Sequence, residues 1–198
     1  MYDEAVTAVA VTNANIARRA AALEKGKPAP PDLKYHTRIQ IDHAMGHLED
    51  LWDGERKQLK RPLKPDEYAF IQNERMLCAL DFRGYWLEHY CWIVDWRKQE
   101  LRFTPNVAQK IVMDLWAQRE RMALAIWMQQ LKARRLGVST ISELAVQHRF
   151  QFHRNSNCVV ASADPGKTTQ MAGMIRYNLA KQPWWLLPQG KPKIKDSI

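Results

Sequence analysis

The stretch Lys132-Ala133-Arg134-Arg135-Leu136-Gly137-Val138-Ser139-Thr140, KARRLGVST, sits between an apolar run, residues 123–131, and an amphipathic run that ends near Phe152. On the eight-position pattern of a phosphate-binding loop, Gly137 takes the second glycine and Ser139 the hydroxyl position. Lys132 stands where the first glycine would be, and Val138 replaces the usual lysine. The positive charge has moved to the start of the loop. Such loops work because backbone N–H groups at a helix N-terminus point at phosphate, a cation adds charge and a hydroxyl reaches Mg²⁺. A lysine entering from the first position supplies that charge, aided by Arg134 or Arg135, whose guanidinium forks suit phosphate oxygens. Without a phosphate, the same residues make a basic turn between helices.

A second stretch, Val159-Val160-Ala161-Ser162-Ala163-Asp164-Pro165-Gly166-Lys167-Thr168-Thr169, matches the pattern better at its end but has Ala161 at the first glycine. Asp164-Pro165-Gly166 is also good turn chemistry, with Lys167 and Thr168 in the first turn of a following helix. Context favours the first stretch. Residues 123–131 have the length and apolarity of a buried strand, Ser139 or Thr140 opens a helix to about Phe152, Asn155-Ser156-Asn157 turns the chain, and residues 158–161 form a second strand. After a helix over 168–181 come Pro183-Trp184-Trp185 and a Lys/Pro tail, which leaves no further strand to hold a nucleotide at 161–168. Strand, loop, helix, strand, helix predicts parallel α/β architecture. We therefore expect residues 100–198 to be the first βαβα segment of a P-loop NTPase parallel-sheet domain.

Residues 1–99 read as a mainly helical N-terminal region. An Ala-rich helix over about 3–25 ends at Gly26-Lys27-Pro28. Ile41, Met45, Leu48 and Trp52 recur at helical spacing between Lys34 and Lys60, and Pro65-Asp66-Glu67 starts another helix. Gly84 permits a turn into a helix from Tyr85 to about Trp96. Downstream, Thr104-Pro105-Asn106 caps a helix through Gln109, Val112 and Leu115.

An apolar fraction of 46% and eight Trp argue against a disordered chain, while no apolar run approaches a bilayer span. The N-terminus lacks the basic start and apolar block of a secretory signal. Three widely spaced cysteines, Cys78, Cys91 and Cys158, fit reduced, buried thiols of a cytoplasmic protein. A net charge of +9 favours a polyanionic partner, because Lys and Arg release counterions when they meet phosphates.

KARRLGVST resembles the variant Walker A loop of the large terminase subunits of tailed bacteriophages, in which the lysine sits at the loop's beginning and Arg, Gly and Ser/Thr follow. YWLEHYCWIVDW and LRFTPNVAQKIV resemble the lead-in to terminase ATPase domains, where a glutamine in a PxxAQ-like context recognises adenine. Gln109 is the match. NSNCVVASADPGKTTQMAGMIRYNLAKQPWWLLP resembles their second strand and helix, so the likeness covers about residues 85–190. It implies an additional-strand ATPase using ATP and Mg²⁺ to drive double-stranded DNA into a capsid. The implied phosphate contacts are Lys132, Ala133, Arg134, Arg135 and Leu136, with backbone N–H groups from Gly137 and Val138, Thr140 beside them and the Ser139 hydroxyl toward Mg²⁺. The implied partners are double-stranded DNA, a portal protein and a small terminase subunit. The implied setting is a homo-oligomeric motor, phage-encoded, in the host cytoplasm.

The Walker B carboxylates and the nuclease acids of that family lie beyond the segments matched here, so the chain is expected to be a fragment that binds nucleotide weakly and hydrolyses it poorly alone. Asp114 follows Ile111-Val112-Met113 but belongs to an amphipathic helix. The alternative is a non-catalytic basic helical module that binds DNA or a phage structural protein and carries a vestigial P-loop. His43 and His47 share a helix face without an evident third metal ligand. Tyr85, Trp86, Tyr90, Trp92 and Trp96 have the spacing of packing aromatics rather than of a base-stacking platform. The tail GKPKIKDSI is a basic, solvated end.

Overall fold

Two short sequence signals start helices as their chemistry dictates. Thr37 accepts from the Gln40 N–H at 3.4 Å while Gln40 Oε1 accepts from the Thr37 N–H at 2.8 Å. Asn106 and Gln109 exchange the same pair at 3.0 and 2.9 Å. Each box satisfies donors that a helix N-terminus otherwise leaves unpaired. The computed structural model describes residues 4–25, 32–95, 97–122, 124–126, 136–153, 156, 158–159 and 165–187. Over these the elements are α1 Glu4–Glu24, α2 Arg38–Glu49, β1 Trp52–Asp53, β2 Gln58–Leu59, α3 Pro65–Leu80, a π-helical turn Phe82–Trp86, α4 Leu87–Tyr90, β3 Trp92–Val94, β4 Glu100–Arg102, α5 Val107–Arg121, α6 Val138–Phe152 and α7 Pro165–Lys181. The chain forms two compact units, residues 4–89 with 182–187, and residues 90–181.

The first unit packs α1 against α3, and α3 carries a buried polar knot. Glu74 is fully buried, and both its oxygens accept from the Tyr85 hydroxyl, at 2.9 and 2.8 Å. His36 Nδ1 lies 2.6 Å from the same carboxylate. Burial and the Glu74 charge push the Tyr85 phenol well above its ordinary range. Asn73 ties the extended segment before α2 by bonding both the N–H and the C=O of Lys34, at 2.8 Å each. At the start of α3, Pro65 occupies the first turn and Glu67 accepts from Lys64 N at 2.7 Å. Glu67 also takes both arms of Arg61, at 2.9 and 2.6 Å. Arg61 first, then the Lys64 amide, hold its carboxyl well below the usual range.

Two regions read as helix in the sequence are hairpins. Trp52 pairs with Leu59 in one, and Trp92 with Arg102 in the other. Both turns are built on an aspartate: Asp53 Oδ1 accepts from the N–H groups of Glu55 and Arg56, and Asp95 Oδ1 from those of Arg97 and Gln99. A lysine at positive φ completes each, Lys57 at 55° and Lys98 at 61°. So the helix expected over 34–60 ends at Glu49, and the one expected over 85–96 ends at Tyr90. Trp96 lies outside the described residues.

The second unit packs α6 against both α5 and α7, and α7 against the β3–β4 hairpin. Asn178, fully buried on α7, accepts from Trp92 N at 2.8 Å and donates to Gln147 Oε1 at 2.9 Å, linking three elements. The two antiparallel hairpins are the sheets among the described residues. Of the strand expected over 123–131, Leu124, Ala125 and Ile126 are in no regular element and the rest lies outside the described residues. Of the strand expected over 158–161, Cys158 and Val159 are exposed and irregular, and the rest again lies outside them. Cys158 is thus an exposed thiol, unlike Cys78 and Cys91. No helix among the described residues is long and apolar enough to cross a membrane.

Candidate nucleotide site

The α5 capping box does more than start a helix. Gln109, 4% exposed, uses Oε1 to accept from Asn106 N and Nε2 to donate to the Gly137 carbonyl at 2.7 Å. Asn106 Nδ2 donates to the Leu136 carbonyl at 3.2 Å. The N-terminus of α5 therefore holds the end of the KARRLGVST stretch from 28 residues away. Gly137 is the N-cap of α6, in the left-handed region at φ 69° and ψ 12°. A Cβ there would stand 2.6 Å from Gln109 Nε2, so both conformation and space require glycine.

From Gly137 the helix proceeds without a capping side chain and with no acid in its first turn. Ser139 is exposed, Thr140 half-buried, and Val138 buried as an anchor in the second unit. Uncapped first-turn N–H groups, an exposed hydroxyl and the positive end of the helix macrodipole suit an anion. Lys132, Ala133, Arg134 and Arg135 lie outside the described residues. Of the residues read as a site, the structure brings together Gln109, Leu136, Gly137 and, through the start of α6, Val138, Ser139 and Thr140. The helix begins at Val138, ahead of the expected Ser139 or Thr140, because Gly137 takes the cap.

Gln109 keeps one Nε2 hydrogen and one Oε1 lone pair beyond its two bonds.

One group escaped the sequence reading. Glu143, one turn along α6 from Ser139, is 2% exposed, and neither carboxylate oxygen has a hydrogen-bond partner. Burial pushes its pKa up to about 7. A glutamate on an amphipathic helix is ordinarily solvated, and the one sequence sign was its place between buried Ile141 and Leu144.

The other stretch, ending in Gly-Lys-Thr, also enters a helix. Pro165 opens α7, and Lys167 is exposed in its first turn; Val160 to Asp164 lie outside the described residues. His47 Nε2 meets Glu67 Oε1 at 2.8 Å, and no group of three or more His, Cys, Asp or Glu suited to a metal occurs among the described residues. Tyr85, Trp86 and Tyr90 are core residues with at most 1% exposure, and Trp92 packs under the Arg102 guanidinium. Asp114 is an exposed α5 residue. No protein-family model matches the chain, and no curated protein or solved structure matches it.

Proposed function

We propose that the second unit is the nucleotide-binding part of a DNA-packaging ATPase of the large terminase kind, with ATP and Mg²⁺ as its ligands and double-stranded DNA as its substrate. One observation carries the reading. Gln109, assigned to adenine, is hydrogen-bonded to Gly137, the glycine that ends the basic loop and caps the following helix. Two residues assigned to opposite ends of one nucleotide, and far apart in sequence, are neighbours.

In this reading the first-turn N–H groups of α6 and the side chains of Lys132 and Arg135 hold the β/γ-phosphates, Ser139 faces the metal, and Gln109 directs its remaining amide hydrogen to the base. Mg²⁺ would neutralise charge on the phosphates. Gln109 supplies the coupling. A base that takes its amide alters the bond that positions Gly137, and so the N-terminus to which the phosphates bind. The net charge of +9 suits the DNA. Packaging, portal and small-subunit contacts belong to the same reading, as does an oligomeric motor.

Labelled-ATP binding decides it. Loss of binding in Lys132→Ala and in Gln109→Ala, with retention in Lys167→Ala, supports the reading. Loss in Lys167→Ala alone transfers the site to the start of α7. No binding by the wild-type chain, with DNA binding retained, favours the basic helical module.

A further inference from the structure

On α5, Val107, Ile111 and Leu115 are 74%, 56% and 44% exposed and fall along one side of the helix, away from the buried Val112 and Met113; exposed Gln118 follows on that side, and Met122, 60% exposed, caps the helix C-terminus. Single exposed apolar residues are ordinary, but three aligned over the N-terminal half of a helix, with a fourth at its C-cap, form a patch that a solvated helix has no reason to keep. The helical repeat places Lys110 and Arg121 along one margin of this patch with Asp114, and Arg119 along the other. Lys110 and Arg121 have no ion-pair partner among the described residues. The margins are net basic, and so is the chain, at +9.

We propose that this face of α5 docks an amphipathic helix with acidic margins, supplied by a partner protein. The apolar stripe matches the spacing at which a helix buries its own apolar face on another, and the cations beside it pair with acids flanking that face. A second copy of the chain is the poorer occupant. Laid antiparallel on itself, the stripe would set basic margin against basic margin on two chains that each carry a net charge of +9. Duplex DNA is poorer still, since phosphates would meet the apolar centre. The stripe shares no residue with the proposed nucleotide site, so the two readings stand or fall separately.

The test uses the whole chain and two labelled helical peptides with the same leucine stripe, one edged with glutamate and one with lysine, followed by fluorescence anisotropy. The glutamate-edged peptide is expected to bind, with affinity falling as salt rises. Ile111→Asp should weaken it roughly tenfold or more, since one buried aliphatic side chain accounts for that much. Reversing both cations, Lys110→Glu with Arg121→Glu, should pass preference to the lysine-edged peptide. Circular dichroism and labelled-ATP binding on the same samples report folding and the other site. Equal binding of both peptides, or binding unchanged by Ile111→Asp, overturns the proposal. So does sedimentation showing a wild-type dimer that Ile111→Asp dissolves, because the occupant would then be a second copy.

Discussion

Gly137 is where backbone conformation and packing make the same demand. A side chain at φ 69° costs about 1 kcal/mol, and a Cβ at 2.6 Å from Gln109 Nε2 must push that amide off the Gly137 carbonyl, a bond of about 1 kcal/mol. Gly137→Ala should therefore lower stability by about 1–3 kcal/mol in urea unfolding. A cost under about 0.5 kcal/mol, within the range of ordinary surface substitutions, would mean the left-handed cap is not formed. Glu143 makes a demand of the opposite kind, on pH. Its folded pKa is raised from 4.5 to about 7, so between those values the native state holds a proton that the unfolded state has lost. Stability from this group is thus full below 4.5, falls as pH rises, and is lost above about 7. Glu143→Gln removes the titration. Relative to wild type it should gain on the order of 2 kcal/mol near pH 8 and nothing near pH 4. A stability difference that does not change with pH would show that the carboxyl is solvated or paired.

At the scale of elements, buried polar side chains link helices that also share a buried apolar core. Asn178 joins α7 to β3 through the Trp92 amide and to α6 through Gln147. Asn178→Ala leaves a buried N–H and a buried C=O unpaired, each costing about 1–3 kcal/mol, so a loss of about 3 kcal/mol is expected. Asn178→Asp keeps the acceptor for Trp92 but sets a carboxylate against Gln147 Oε1. It should protect the Trp92 amide from hydrogen exchange while still destabilising α6 against α7. If the Trp92 amide exchanges equally fast in wild type and Asn178→Ala, the link is absent. These pairings also explain what the sequence could reveal. Thr37 with Gln40 and Asn106 with Gln109 announce helix starts, because a cap and its reciprocal residue lie within one turn. The hairpins at 52–59 and 92–102 were hidden, because Lys57 and Lys98 adopt positive φ that nothing in a lysine advertises, and the tryptophans beside them extend a helical spacing. In the candidate site, Gln109 and Gly137 were each readable by residue type. Their contact, and the burial of Glu143, exist once α5 and α6 have packed.

At the scale of the molecule, the chain leaves its first unit after His89 and returns to it at Gln182. The returning segment Pro183-Trp184-Trp185-Leu186 completes a core begun more than a hundred residues earlier. Trp184 stacks on Trp52 with ring centroids 4.9 Å apart and donates from Nε1 to the Leu48 carbonyl at 3.2 Å. Trp185 is 2% exposed, meets Phe70 edge-on, and its carbonyl accepts from Arg75 at 2.6 Å. Leu186 is fully buried. The first unit is therefore closed by residues that follow the second unit in the chain, so its stability depends on α7 having been traversed. Trp185→Ala should cost about 3–5 kcal/mol, the range for emptying a buried aromatic site. The place of the loss is the sharper expectation, because cavity strain stays with the core that holds the cavity. Hydrogen exchange followed by mass spectrometry should show faster exchange in α2 and α3, which pack on the segment, and unchanged exchange in α6 and in α7 up to Lys181. Equal loss of protection across both units would mean that they unfold as one cooperative body. Unchanged protection in α3 would mean that the tryptophan pair rests on the surface of the first unit without completing its core.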